Sequence, residues 1–219
     1  MKRLSLLVTL LILAMLSAES ALASTVLYSQ PINQCCGVLN GGPFSNDPVQ
    51  FVVDLFNLSG GGSINQAMWY GVAYNGLGFG TFNVEFFAGT GGTPGAPLYS
   101  FTAAPTIVDT GLQDPYGLEL YQFTLNIPAF TAVPGLNYFF FAGDTGPVNF
   151  AWENSTLTSG AFYSDTGKNG PWIDLAGGYN ASQAFTLLNT GTTPEPGTLI
   201  MLGSGIIGLA GVLRRRINL

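Results

Sequence analysis

The residues able to do chemistry in this chain are few. None of its 219 residues is a histidine, which excludes a Ser-His-Asp triad, a Cys-His pair and a histidine-based metal site. Carboxyls remain. Asp54, Glu85, Glu119 and Glu153 could cleave a glycoside if two of them stood ~5–10 Å apart across a sugar ring. Nothing in their spacing makes such a pair, and Glu85 falls on the polar face of a strand. They are therefore expected on solvated strand faces. Lys168 is the one amine side chain between the two ends, within Asp165-Thr-Gly-Lys-Asn-Gly170. That stretch is only superficially a phosphate loop: Phe162 stands where its first glycine belongs, and no Ser or Thr follows the lysine. No catalytic residue is expected, and the domain reads as a non-enzyme.

Binding is the better-supplied chemistry. Sugars need aromatic faces to stack on and short polar side chains for their hydroxyls, and Trp69, Tyr70, Trp152, Trp172 and Tyr179 offer the first. Trp69 and Trp152 lie in strand-like runs and are expected in a core. Trp172 follows Gly170-Pro171 in a loop-rich stretch and is the best candidate for an exposed aromatic. With Tyr179, Asn169 and Asp174 nearby, it forms the candidate glycan contact. Calcium would need oxygen ligands at dense spacing, which Asp144-Thr-Gly and Asp165-Thr-Gly-Lys-Asn lack. No cofactor is expected, with calcium the one ion left open. Cys35 and Cys36 are adjacent, closer along the chain than a relaxed disulfide allows. A strained bridge, intermolecular bridges and two free thiols all stay open, and no zinc site is available.

These side chains must be positioned by strands. Phe51, Val53 and Leu55 share one face of a run, as do Phe82, Val84 and Phe86, and Tyr121, Phe123, Leu125 and Ile127. That is period-two alternation. Leu136 to Ala142 is apolar almost throughout and suits a central strand covered on both sides. Further strands are expected over 25–29, 64–74, 97–101, 148–152 and 183–188. Glycine- and proline-rich clusters at 60–62, 89–95, 134–135, 143–147 and 177–178 turn the chain between them. About nine short strands of this kind predict an all-β, antiparallel sandwich, jelly-roll-like, over residues 24–192.

Charge narrows the partners. Ten of the twelve acidic residues but only one of the six basic ones lie between Ser24 and Thr193. Nucleic acid, whose binding needs basic residues to displace counterions, is excluded, and an anionic membrane surface is no better a partner. The basic residues sit at the ends. Met1-Lys2-Arg3, an apolar run to Leu16 and Ala21-Leu22-Ala23 have the parts of a secretory signal peptide, residues 1–23. The run is too short for a spanning helix of roughly 20 residues. Residues 193–219 contain Pro194-Glu195-Pro196, an uncharged apolar helix over 198–213 and the cluster Arg214-Arg215-Arg216. Arginines after an apolar helix remain cytoplasmic. An ordinary, uncut single-pass anchor would look similar.

This tail resembles the PEP-CTERM sorting signal of Gram-negative bacteria, with Pro194, Glu195 and Pro196 as the recognition motif and Arg214, Arg215 and Arg216 as the stop. The interior is similar to exported PEP-CTERM proteins of the β-sandwich type, through Met68-Trp-Tyr-Gly71, the 82–99 segment and Ala184-Phe-Thr-Leu187. The resemblance implies an exosortase as processing partner and a membrane-anchored precursor destined for the cell surface or extracellular matrix. It also implies a setting of extracellular polysaccharide and biofilm. The expected task is structural or adhesive, with polysaccharide binding; a glycan-active enzyme using paired carboxylates is the alternative.

Overall fold

A computed structural model of the chain describes residues 24–33, 38–39, 51–73, 78–146, 150–157, 160–164, 171–175, 182–191 and 205. Two compact units divide it, residues 26–189 and a second made of 1–25 with 190–219. Of the second, only Ser24, Thr25, Thr190, Gly191 and Gly205 are described. The expected signal peptide and the apolar helix of the tail otherwise lie outside the described residues. Among the described residues no helix is long and apolar enough to cross a membrane.

In chain order the strands are β1 (Ser24–Gln30), β2 (Val38–Leu39), β3 (Phe51–Asn57), β4 (Gly62–Ala73), β5 (Phe82–Thr90), β6 (Thr93–Ala103) and β7 (Thr106–Gln113). They continue as β8 (Glu119–Ala132), β9 (Asn137–Asp144), β10 (Phe150–Trp152), β11 (Ala161–Ser164), β12 (Ile173–Asp174) and β13 (Phe185–Thr190). One sheet runs β1-β13-β4-β10-β2, with β8 on the other edge of β4 and β7 beyond it. The other runs β12-β11-β3-β9-β5-β6. The strand pairs whose register is resolved are antiparallel, so the expected all-β, antiparallel class is what the chain adopts.

Apolar alternation chose the faces. Phe82, Val84 and Phe86 of β5, and Tyr121, Phe123, Leu125 and Ile127 of β8, point into one core with Trp69, Phe140, Trp152 and Phe185. In β9 the alternate residues Phe139 and Phe141 join a second cluster with Val53, Phe87 and Phe162 on the opposite face of the second sheet. That strand is covered on both sides, as its unbroken apolar run requires. Phe51, Val53 and Leu55 do share a face, but it is this outer one. The inner face of β3 carries Val52, Asp54 and Phe56.

Glycine is required at Gly71 for space and at Gly91 and Gly92 for backbone conformation. A Cβ on Gly71 would come within 2.2 Å of the Phe150 ring and 2.5 Å of the Ala151 carbonyl, so the close packing of β10 on β4 needs glycine at this position. The β5–β6 turn is tighter than the 89–95 cluster suggests. Gly91 and Gly92 both have positive φ, the signature of a two-residue hairpin turn matched to strand twist. Consequently β6 already begins at Thr93.

Candidate functional site

A cleft of about 360 Å³ opens where β1 meets β3, lined by Tyr28, Gln30, Leu55, Phe56, Asn57, Thr156 and Leu157. This is the lower end of the range for ligand sites. Alternation along β1 places Tyr28 and Gln30 on the same side, facing β3. The Tyr28 hydroxyl donates to the Leu55 carbonyl at 3.3 Å, and its ring packs against Phe56 and Phe185 at 5.9 and 5.4 Å. Gln30 Nε2 donates to the Tyr28 hydroxyl at 3.0 Å and to the Leu55 carbonyl at 3.2 Å. Gln30 Oε1 is buried and accepts nothing from the protein. On the rim, Asn57 Nδ2 donates to the Leu136 carbonyl and to Asn137 Oδ1.

Asp54 lies behind this wall, fully buried. Its Oδ1 accepts from the Leu55 N–H at 2.7 Å and its Oδ2 from the Gln183 N–H, with Gln30 and Ser182 also bonded to it. Burial pushes its carboxyl well above the ordinary range, and these hydrogen bonds pull it only part of the way back. Loss of hydration raises the Tyr28 phenol, Gln30 lowers it, and the nearby Asp54 raises it further. The cleft thus combines an aromatic ring and apolar contacts from Leu55, Phe56 and Leu157 with the amide of Asn57 on its rim, while Gln30 Oε1 is buried beneath the surface. Such a surface can take a ligand that carries hydroxyls on an apolar ring.

The expectation of solvated carboxyls is corrected. Asp54, Glu85 and Glu153 are buried, and of the four only Glu119 is exposed. Alternation assigned Glu85 the right face, opposite Phe86, but that face is covered too. There its Oε1 accepts from Asn83 Nδ2 at 2.6 Å and Ser100 Oγ at 3.0 Å. Asp54 is level with Phe140 and Glu85 with Phe141, so the two acids project from opposite faces of one sheet. Glu119 accepts from the Tyr121 hydroxyl, and Glu153 follows β10 in the other sheet.

The remaining sequence candidates fall in different places. Trp69 and Trp152 are fully buried in the core, as expected. Trp172 is half-buried rather than standing free, its ring edge-on to Phe87 at 6.0 Å. Asp174 is exposed on β12, level with Phe162. Asn169, Tyr179, Lys168, Cys35 and Cys36 lie outside the described residues. So do Pro194, Glu195, Pro196 and Arg214 to Arg216. The structure does not bring Trp172 to the cleft. Tyr28 and Gln30 were missed because β1 reads only as a short strand, and no local pattern shows that it borders Asp54.

Comparison with protein families matches residues 192–216 to the PEP-CTERM protein-sorting motif. The chain carries a PEP-CTERM sorting tail. The match spans the Pro194-Glu195-Pro196 element, the apolar run and the arginine cluster through Arg216. No curated protein and no solved structure matches the chain significantly. A PEP-CTERM motif implies processing by an exosortase, a membrane enzyme, and hence a secreted, membrane-anchored substrate bound for the cell surface.

Proposed function

We propose that this is a non-catalytic surface or extracellular-matrix protein of a Gram-negative bacterium, exported by its N-terminal signal peptide and released to its place by exosortase cleavage. There it acts as a structural or adhesive component that binds polysaccharide. The observation that carries this reading is the sorting tail at residues 192–216. The binding element rests on the cleft of Tyr28, Gln30 and Asn57, whose mixed aromatic, apolar and amide lining suits a hydroxyl-bearing ring. We read β9 between β3 and β5, with β8 between β4 and β7, as a jelly-roll-like connectivity. The non-catalytic reading is supported by the missing histidine and by Asp54 and Glu85 on opposite faces.

Two experiments test it. Intact mass of the protein from cells should show loss of the segment after Pro196; mature protein that keeps Arg214 to Arg216 would make the tail an ordinary anchor. Retention of the mature protein on immobilised polysaccharides should fall at least tenfold for Tyr28→Ala and Gln30→Ala. If Trp172→Ala alone abolishes retention, the contact lies at the Trp172 surface instead. No retention on any polymer leaves a purely structural protein.

A further inference from the structure

The cleft between β1 and β3 has a polarity set by which of its hydrogen atoms are already in use. Asn57 stands exposed on the rim, and its Nδ2 donates to the Leu136 carbonyl at 3.0 Å and to Asn137 Oδ1 at 3.1 Å. A backbone carbonyl cannot donate, so this orientation of the amide is fixed. Asn57 Oδ1 is then the atom it can offer a ligand. The Tyr28 hydroxyl is constrained in the same way: its hydrogen goes to the Leu55 carbonyl at 3.3 Å, and it accepts from Gln30 Nε2 at 3.0 Å. Whatever that oxygen has left can only accept. Gln30 Nε2 is itself spent on Tyr28 and on the Leu55 carbonyl at 3.2 Å.

The far wall is held as firmly. The chain after β1 reaches it through an antiparallel bridge between Ile32 and Ser155. The Thr156 N–H donates to the Pro31 carbonyl at 3.0 Å, and the Leu157 N–H to Ser155 Oγ at 3.1 Å. The backbone hydrogens of this wall are therefore used as well, while the side chains of Thr156 and Leu157 are exposed. Walls fixed in advance lower the ordering cost of binding. All seven described residues that line the cleft are uncharged. The ionisable group behind the wall, hydrogen-bonded to Gln30, is the carboxyl of Asp54 and not a cation.

We propose that this cleft selects neutral, hydroxyl-rich sugars and rejects acidic ones such as uronates, an inference that rests on the reading of the cleft as the polysaccharide site. A neutral pyranose brings the hydrogens that the cleft lacks. Its hydroxyls donate to Asn57 Oδ1 and exchange hydrogen bonds with the Thr156 hydroxyl, and its C–H face lies on the Tyr28 ring, Leu55 and Leu157. A carboxylate brings acceptors and no hydrogen. It would meet oxygens of its own kind, the Thr156 hydroxyl as donor, and no cation among the lining residues. Desolvating a charge without compensation is strongly unfavourable.

The test measures retention of the protein from cells on immobilised neutral glucan, mannan and galactan and on alginate, a polyuronate, at matched density. At least one neutral polymer should retain it and alginate should not. Asn57→Ala, an exposed rim change, should weaken neutral retention about fivefold, as expected for one lost hydrogen bond. Thr156→Lys should raise retention on alginate about tenfold, because it supplies a charged donor at the rim. The acidic domain as a whole also repels alginate, so the comparison is repeated at about 1 M salt, where the Debye length is ~3 Å. Selection by the cleft persists there; a neutral preference that vanishes would trace to overall charge and overturn the proposal. Alginate retention that Tyr28→Ala and Asn57→Ala both abolish would overturn the neutral class while keeping the cleft as the site. Neutral retention that neither variant weakens would remove the cleft itself, and no retention on any of these polymers would overturn both readings.

Discussion

Between the sheets, Trp69 lies nearly parallel to Phe123 at 5.7 Å, and Phe82 and Phe150 meet that ring at 4.9 and 5.5 Å. At the margins of the same sandwich, Asp54 and Glu153 are buried as completely as those rings, yet they hold oxygens where the core holds carbon. The aromatic region is stable through apolar area and close packing, neither of which responds to pH or ions. The acidic regions depend on their state of protonation, because burial raises the carboxyls of Asp54 and Glu153. One molecule therefore has buried aromatic packing that is indifferent to pH and buried acids that are not.

The largest effect should come from breaking the dry side. Trp152→Ala removes a fully buried indole whose Nε1 donates to the Ala184 carbonyl at 3.0 Å. Chemical denaturation should show a loss of about 3–5 kcal/mol, the same at pH 5 and pH 8. Next, Gly71→Ala forces a methyl group into the Phe150 ring and the Ala151 carbonyl. Overpacking of that kind should cost about 1–3 kcal/mol, read in the same assay, again independent of pH.

The acidic side should answer differently. The folded pKa of Asp54 is raised above its ordinary value of 3.8, so the folded state holds that proton more tightly than the unfolded one. Its contribution is thus fully present below about pH 3.8 and is lost as pH rises through the folded value. Asp54→Asn cannot titrate and should flatten that slope. It should also lose about 1 kcal/mol at acid pH, because its amide can accept from only one of the Leu55 and Gln183 N–H groups. A slope left unchanged in the variant would mean that another group governs the pH response. Smallest of all, Ile107→Thr on the exposed β7 should shift stability by no more than about 0.5 kcal/mol. A larger loss would show that this edge is covered in solution.

How far the fold was legible depends on whether a segment has one wet face. The runs of β5 and β8 alternate because one side packs and the other does not, and their inward residues follow from that pattern. Strand β7 has no buried face, so Thr106 to Gln113 shows no period and was not foreseen. The same limit hid the acids. Glu85 alternates correctly with Phe86, but a sequence period reports which side a residue takes and not whether that side is covered. Trp172 was placed in a loop on the strength of Gly170-Pro171, and what it touches depended on Phe87, far away in the chain. The tail needed no tertiary context, since its three parts are consecutive.

The sequence by itself determined the sorting tail, the all-β antiparallel class and the exclusion of histidine chemistry. Each of these is a local or compositional property, carried by neighbouring residues or by the absence of a residue type. Only the tertiary structure decided that Asp54 lies behind Tyr28 and Gln30, that Glu153 and Asp114 are buried, and that Asp54 and Glu85 face apart. Those relations join strands distant in sequence, and they are set by which sheet faces pack and which edges pair.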